Sequence, residues 1–411
     1  MAATVSSATH RSGQGRRFDD PRWHLLLIVL IVVPLYAVNG RWGQSANGDT
    51  TAVAVPAWQL ANEGTLDLSE FEVIADNLDG LGIWYVNDVR GRIVSNRMPG
   101  LIAMTTPAYL ASGDDFSNAP ATATALTATV AALLLMWHVF RKLVPLVFAT
   151  SSILVFALGT TTWAISAAEI WPHGPGQLWA AMAVLFTSGG AYLATGVAFA
   201  LSITTRPLTG IFAAVTGIAE SWRLRSFLPA FKVALASSVG LAALLIYNRY
   251  LYGSWSLSGG YSDSFTTGAL ESFEFLPYLN NLLAVFIGPL NGFLTTSPVI
   301  GVAAYGVVRY RDRVQPWMLS LAASGIVYLI VHAALNRASG GLIVFYRYPL
   351  APLVLMSPAL LMGARALWES SRRGERVVVV TALVSVALQV LNIFVFSCWN
   401  TSPVVPTCVL S

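Results

Sequence analysis

Asp49 lies in Asn47-Gly48-Asp49-Thr50-Thr51, eleven residues beyond the apolar run Trp23 to Val38, near the head of a polar segment from Asn39 to Asn118. That segment carries ten of the chain's 20 carboxylates, although only 11% of all residues are charged. An ionised carboxylate at a membrane surface is suited to take a proton from an attacking hydroxyl, which is general-base chemistry. At the start of a helix over Ala52 to Leu60, the same side chain would instead cap free N–H groups and complement the helix dipole. Both readings of Asp49 stand at this level, and Asp76, Asp79, Asp88 and Glu169 are the other carboxylates eligible as base.

Arginines supply the second kind of chemistry. Arg206, Arg249, Arg337 and Arg347 each fall at or inside the end of an apolar run, where a guanidinium is costly to place. Tyr247-Asn248-Arg249-Tyr250 and Tyr346-Arg347-Tyr348-Pro349 surround two of them with aromatics. A planar guanidinium binds phosphate through two parallel hydrogen bonds, so these residues read as a phosphate clamp, with Arg347 first. Snorkelling to the lipid interface is the competing account of the same positions. Arg90, Arg92 and Arg97 are expected at headgroup level, ahead of the short apolar stretch Leu101 to Leu110. Glu169 and His173, in Glu169-Ile170-Trp171-Pro172-His173-Gly174-Pro175, form a Pro-fixed turn able to meet the first loop and a substrate. No second histidine or cysteine stands at ligand spacing, so a zinc site has no support.

The elements that position these groups follow from composition. With 411 residues, 55% of them hydrophobic, and a mean hydropathy of +0.63, the chain has too little charge to cover a soluble globule. Backbone in hydrocarbon must satisfy its own hydrogen bonds, and the apolar runs are long rather than short and alternating, so the spans are helices and not porin-like strands. The fold class is all-α, a polytopic membrane protein with spans near 23–38, 119–140, 143–163, 176–190, 191–205, 207–219, 227–251, 294–310, 316–336, 346–367 and 376–397. That makes eleven, or nine if 176–219 is one long helix with a re-entrant piece.

Sixteen of the 24 Lys and Arg residues collect on one side of these spans, around Arg11 to Arg22, Arg141-Lys142, Arg223 to Lys232, Arg309 to Arg313 and Arg365 to Arg376. The positive-inside rule makes that side cytoplasmic. Residues 1–22 are then a basic cytoplasmic tail, 23–397 the membrane domain with an extracytoplasmic loop at 39–118 carrying short interfacial helices, and 398–411 an extracytoplasmic tail. The first apolar run lacks a small-residue cleavage site and reads as an uncleaved signal-anchor. Cys398 and Cys408 both fall on the oxidising side and are expected to form a disulfide. The net charge of +4 resides in the cytoplasmic loops and implies no nucleic-acid partner.

Taken together, these features resemble the bacterial GT-C glycosyltransferases, integral-membrane enzymes whose members include aminoarabinose, protein mannosyl and actinobacterial arabinofuranosyl transferases. The resemblance rests on Gly48-Asp49-Thr50 with Pro56-Ala57-Trp58 and Glu63-Gly64, on Ser95-Asn96-Arg97-Met98-Pro99-Gly100 with Pro107-Ala108-Tyr109, on Gly159-Thr160 with Trp171-Pro172-His173-Gly174-Pro175, and on Arg347-Tyr348 ahead of Pro349. Many relatives have two neighbouring acidic residues where Asp49 is flanked by glycine and threonine. The family's soluble C-terminal domain has no counterpart in this sequence, so acceptor choice is expected to rest on the membrane cavity and its loops.

The resemblance implies an inverting glycosyltransferase of cell-envelope biogenesis. Its donor is a polyprenyl-phosphate sugar, its acceptor a glycan or lipid on the outer face, and membrane lipids surround it. Asp49 is the implied catalytic base, with Arg347, Arg206, Arg249 and Arg337 on the donor phosphate, and His173, Glu169, Arg97, Tyr346 and Tyr348 on the substrates. No cofactor is required, and a divalent metal is left open. A flippase for a lipid-linked sugar would use the same arginines without breaking a bond, but intramembrane carboxylates would then be expected, whereas acidic residues read as confined to the loops. A non-catalytic envelope subunit is the remaining class.

Overall fold

The computed structural model describes residues 20–43, 48–69, 86–260, 273–289, 291–336 and 345–395. Arg337, Cys398, Cys408, Asp76 and Asp79 lie outside the described residues.

The chain is a bundle of α-helices, and every expected span has a helix at its place. They are α1 (Pro21–Asn39), α4 (Ala119–Phe140), α5 (Leu146–Gly159), α6 (His173–Ser188), α7 (Tyr192–Thr205), α8 (Gly210–Leu224), α9 (Leu228–Tyr252), α12 (Pro298–Arg309), α13 (Pro316–Leu335), α14 (Leu350–Ser370) and α15 (Arg372–Phe394). The polar segment adds α2 (Gly48–Asn62) and α3 (Pro99–Leu110), and α10 (Phe275–Ile287) and α11 (Phe293–Thr296) lie between α9 and α12. Among the described residues, six helices are long and apolar enough to cross a membrane: α1, α4, α9, α13, α14 and α15. The protein is therefore a multi-pass membrane protein.

Local chemistry sets the boundaries. Asp20 accepts the Arg22 amide at 2.9 Å and Pro21 opens α1. The region 176–219 divides into three separate helices because Gly189-Gly190, with Gly190 at φ 71°, and Arg206-Pro207 end each one. α7 and α9 pack closely because Gly240 lets the backbones touch; a Cβ there would lie 2.3 Å from the Ala200 carbonyl oxygen.

Irregular backbone at membrane depth is satisfied by side chains. After α5, a π-helical turn at Thr162–Ser166 is held by the Thr160 hydroxyl, which donates to the Phe156 carbonyl at 2.6 Å, and by Gln177, which donates to the Thr162 hydroxyl at 2.9 Å. At the break between α11 and α12, α15 supplies Ser385, which accepts the Val299 amide at 3.1 Å, and Gln389, which donates to the Thr296 carbonyl at 3.3 Å.

Two elements escape the sequence reading. β1 (Val86–Val89) and β2 (Arg92–Ser95) form an antiparallel hairpin across Arg90-Gly91, whose φ values of 59° and 74° give a two-residue turn. The second is α10, only 13 residues long, with Phe275, Leu276, Leu283 and Ile287 exposed and with Asn281 donating to the carbonyls of Ala333 and Asn336 at the end of α13. One expectation is corrected: acidic residues are not confined to loops, because Glu220 lies in α8 with its side chain fully buried.

Candidate active site

The short helices of the polar segment form a cap over one end of the bundle. α3 buries Leu101, Ile102, Thr105 and Tyr109, one face at helical spacing, and packs on α2, α4 and α7. The hairpin is fastened from both sides: the Ser95 hydroxyl donates to the Ala52 carbonyl at 2.6 Å, and the Tyr252 hydroxyl donates to the Ser95 carbonyl at 2.5 Å. These bonds fix Asn96 and Arg97, the residues just after β2, against the start of α2.

Asp49 stands in the first turn of α2, and both of its carboxylate oxygens are engaged. Oδ1 accepts from Nη2 of Arg97, and Oδ2 faces Nη1 of Arg347 at 3.4 Å. Arg97 is only 9% exposed, enclosed by the cap. Burial pulls its pKa below the ordinary value, the Asp49 charge opposes that, and Arg347 adds to it.

Arg347 reaches Asp49 from a strained approach. Phe345, two residues earlier, has φ 67°, in the left-handed region disfavoured for a bulky side chain. Tyr346 is fully buried, its carbonyl accepting from the Thr161 hydroxyl at 2.6 Å and its hydroxyl 2.8 Å from that of Ser297. The turn that leads into α14 is thereby pinned into the core, and Arg347 is left facing Asp49 of the cap. Its guanidinium carbon lies 4.8 Å from the Trp171 ring centre and 5.1 Å from that of Tyr348. Its Nε is buried with no hydrogen-bond partner among the described residues.

Tyr348 is the hub of the site. Arg206, at the C-terminus of α7, places its guanidinium carbon 4.9 Å from the same ring, and the His332 and His173 rings lie 4.1 and 6.0 Å away. Arg206 also meets Nε2 of His332 at 2.7 Å, and since a guanidinium has no lone pair to offer, that nitrogen is the acceptor and His332 is neutral there. His173, at the first residue of α6, is held well below its ordinary pKa by burial first and then by Arg206, Arg347 and His332. Glu169 is 7% exposed, accepts from the hydroxyl of Thr50, the neighbour of Asp49, and lies 3.9 Å from Arg41.

Asp49, Arg97, Arg206, His173, Glu169, Tyr346 and Tyr348 thus gather with Arg347 at one end of the bundle. Arg249 does not join them: it is exposed on α9 and donates to the carbonyl of Gly253. Trp171 and His332 belong to the cluster without a role assigned by the sequence. His332 had a legible signal, as an ionisable residue within an otherwise apolar helix.

Charge decides what the arrangement is fit for. Among the described residues, Arg97 and Arg347 face the carboxylate of Asp49 and Arg206 joins Arg347 on the Tyr348 ring, while Glu169 is matched by Arg41. The histidines contribute no charge. An anion is the ligand that such an unbalanced, aromatic-walled site accommodates. Among the described residues no group of three or more His, Cys, Asp or Glu side chains is placed to hold a metal.

No family model and no curated protein matches the chain. Two solved structures do: ArnT from Cupriavidus metallidurans in the apo state, with a TM-score of 0.55, 14% identity, and 87% of this chain covering 62% of that one; and the same protein bound to undecaprenyl phosphate, with a TM-score of 0.55, 13% identity, and 90% of this chain covering 64% of that one. At this identity the likeness is one of fold, and it shows an ArnT-like polytopic membrane fold, all-α as expected from the sequence. The chain spans less than two thirds of the length of ArnT.

Proposed function

We propose that the protein is an inverting glycosyltransferase that uses a polyprenyl-phosphate sugar as donor and transfers the sugar to a glycan or lipid of the cell envelope on the outer face of the membrane. The observation that carries this reading is the excess, among the described residues, of guanidinium groups over carboxylates around Asp49 and Tyr348, which suits a lipid phosphate. The ArnT structure bound to undecaprenyl phosphate supports the same donor class on the same fold.

In this mechanism Arg347 and Arg206 hold the donor phosphate, each braced against the Tyr348 ring so that the guanidinium planes are preorganised. A phosphate that draws Arg347 to itself releases Oδ2 of Asp49 from that contact. The freed oxygen takes the proton of the acceptor hydroxyl as its oxygen attacks the anomeric carbon. The bond between that carbon and the phosphate oxygen breaks, the lipid phosphate leaves with the electron pair, and the configuration inverts. Arg97 keeps Asp49 oriented through Oδ1. Leaving-group charge is neutralised by guanidinium groups, so the step proceeds through electrostatic stabilisation.

Incubating the purified protein with a panel of radiolabelled prenyl-phosphate sugars and envelope acceptors tests the reaction; binding without transfer in every combination would sink it and favour a flippase or a non-catalytic subunit. Orientation is tested separately in intact cells. A cysteine placed at Ser69 should react with an impermeant thiol reagent and one at Ser371 should not, and reversed labelling would move the site to the cytoplasm.

A further inference from the structure

His332, in the last turn of α13, is buried and has no surface of its own to offer a ligand. Its ring lies 26° from parallel to that of Tyr328, one turn earlier, with centres 5.5 Å apart, and 4.1 Å from the centre of Tyr348. Tyr328 in turn meets Phe212 of α8 at 4.7 Å. A file of rings running from the core to the site thus fixes the imidazole before any ligand arrives.

Arg206 is fixed at its root. Its amide donates to the Ser202 carbonyl at 2.8 Å, and its carbonyl accepts from the amide and the hydroxyl of Thr209 at 3.0 and 2.7 Å. Between root and head, an arginine side chain has several rotamers to choose among. The head is held at two points: Nη2 donates to Nε2 of His332 at 2.7 Å, and the guanidinium carbon stands 4.9 Å from the Tyr348 ring centre. Among the described residues no carboxylate pairs with Arg206. The hydrogen-bond partner that orients it is therefore neutral. A carboxylate in the place of His332 would hold the same guanidinium but cancel its charge, whereas an apolar side chain would leave the charge without a direction.

We propose that His332 is a positioning residue for the donor phosphate: the lone pair at Nε2 holds the guanidinium of Arg206 in its phosphate-binding direction and leaves the positive charge to the ligand. This rests on the assignment of Arg206 to a lipid phosphate. Such preorganisation appears as affinity, because the side chain is ordered before the ligand binds. The competing account is packing alone, with His332 present for its ring.

Two substitutions separate these accounts. His332→Phe keeps a ring and removes the acceptor, while His332→Gln removes the ring and returns an acceptor at a similar reach. Titration of the purified full chain with undecaprenyl phosphate, without sugar or acceptor, reads the phosphate site directly. His332→Phe is expected to weaken binding by about 10-fold, as the loss of one hydrogen bond to a charged group does, and His332→Gln to restore it to within about threefold of the parent. In an Arg206→Gln background His332→Phe should cost nothing further, since its effect passes through Arg206. If His332→Phe does not fold, as judged by its thermal midpoint, His332→Leu carries the same comparison with His332→Gln. Parent-like affinity in the folded apolar variant, a larger loss in His332→Gln than in His332→Phe, or an undiminished effect of His332→Phe in the Arg206→Gln background would each overturn the proposal. A parent that binds no undecaprenyl phosphate would instead overturn the phosphate site, and the positioning role with it.

Discussion

Two carboxylates, Glu220 fully buried and Asp49 half-buried, lie at opposite ends of the bundle and are treated in opposite ways. Glu220 on α8 has its side chain fully buried and receives Nε and Nη2 of Arg223 at 3.0 and 2.6 Å, the Tyr192 hydroxyl at 2.7 Å, and the Ser320 hydroxyl beside it. One cation answers one anion, and the remaining lone pairs are taken by hydroxyls from neighbouring helices. Asp49 faces two guanidinium groups, Arg97 and Arg347, the second contact is long at 3.4 Å, and Arg347 keeps a buried donor without a partner among the described residues. A saturated pair fastens α7, α8 and α13 together. An unbalanced one, among the described residues, is suited to receive an anion.

The comparison breaks most visibly at Asp49. Asp49→Asn should lower sugar transfer by roughly 100- to 10,000-fold, because the amide cannot accept a proton. Its thermal stability should fall by about 1–3 kcal/mol, as Arg97 and Arg347 lose a charged partner. Transfer rate and thermal midpoint measured on one preparation separate these effects. Normal turnover with a lowered midpoint would make Asp49 a cap.

Arg347→Lys should weaken donor binding by about 10- to 100-fold, the cost of losing one charged hydrogen bond, because a point charge cannot reproduce the planar two-point contact. Titration with a prenyl-phosphate donor measures it. Arg249→Lys, on an exposed side chain outside the cluster, should bind like the parent, and equal losses in both variants would dissolve the distinction between the two arginines.

Glu220→Gln should differ from Asp49→Asn in leaving the reaction intact. Transfer should be unchanged within a factor of about two, while stability falls by about 1–3 kcal/mol as Arg223 loses its partner and two hydroxyls lose a charged acceptor. A fall in transfer at constant midpoint would mean that this end of the bundle takes part in the reaction.

The smallest effect concerns pH. His173 has a folded-state pKa well below its ordinary 6.5, so the folded protein binds fewer protons than the unfolded chain as pH falls through that value. Stability should therefore be at its plateau above about pH 6.5 and decline below it, and His173→Asn should flatten that decline. A midpoint in detergent that is independent of pH between 5 and 7 for both proteins would show that His173 is not the responsible group.

The candidate site was legible in pieces. Asp49 is conspicuous as an acid just past an apolar run, and Arg347 as a cation where a membrane helix begins, and each carries its signal in its immediate neighbours. Arg97 gives no such sign that it is buried, since its burial depends on α2 and Tyr252 closing over the hairpin. The hairpin itself was hidden because its turn is Arg90-Gly91 rather than Asn-Gly or Asp-Gly. α10 was hidden because 13 residues are too few to span a bilayer, and an amphipathic segment between two hydrophobic ones leaves a weak signal.

The sequence by itself determined that the chain is helical and membrane-embedded, and where its helices fall. Hydropathy and breaker residues act along the chain and need no partner: Gly189-Gly190 ends α6 whatever packs against it, and the cost of exposing backbone to hydrocarbon forces the helix. Tertiary structure alone decided that Arg97 and Arg347 would meet at Asp49, that Arg206 and Arg347 would share the Tyr348 ring, and that Glu220 would be paid in full by Arg223 and Tyr192. Those contacts join residues as far as 298 positions apart, Asp49 with Arg347, and are fixed by which helix faces pack together. Charge balance is a property of a volume, and no volume exists until the chain has closed around it.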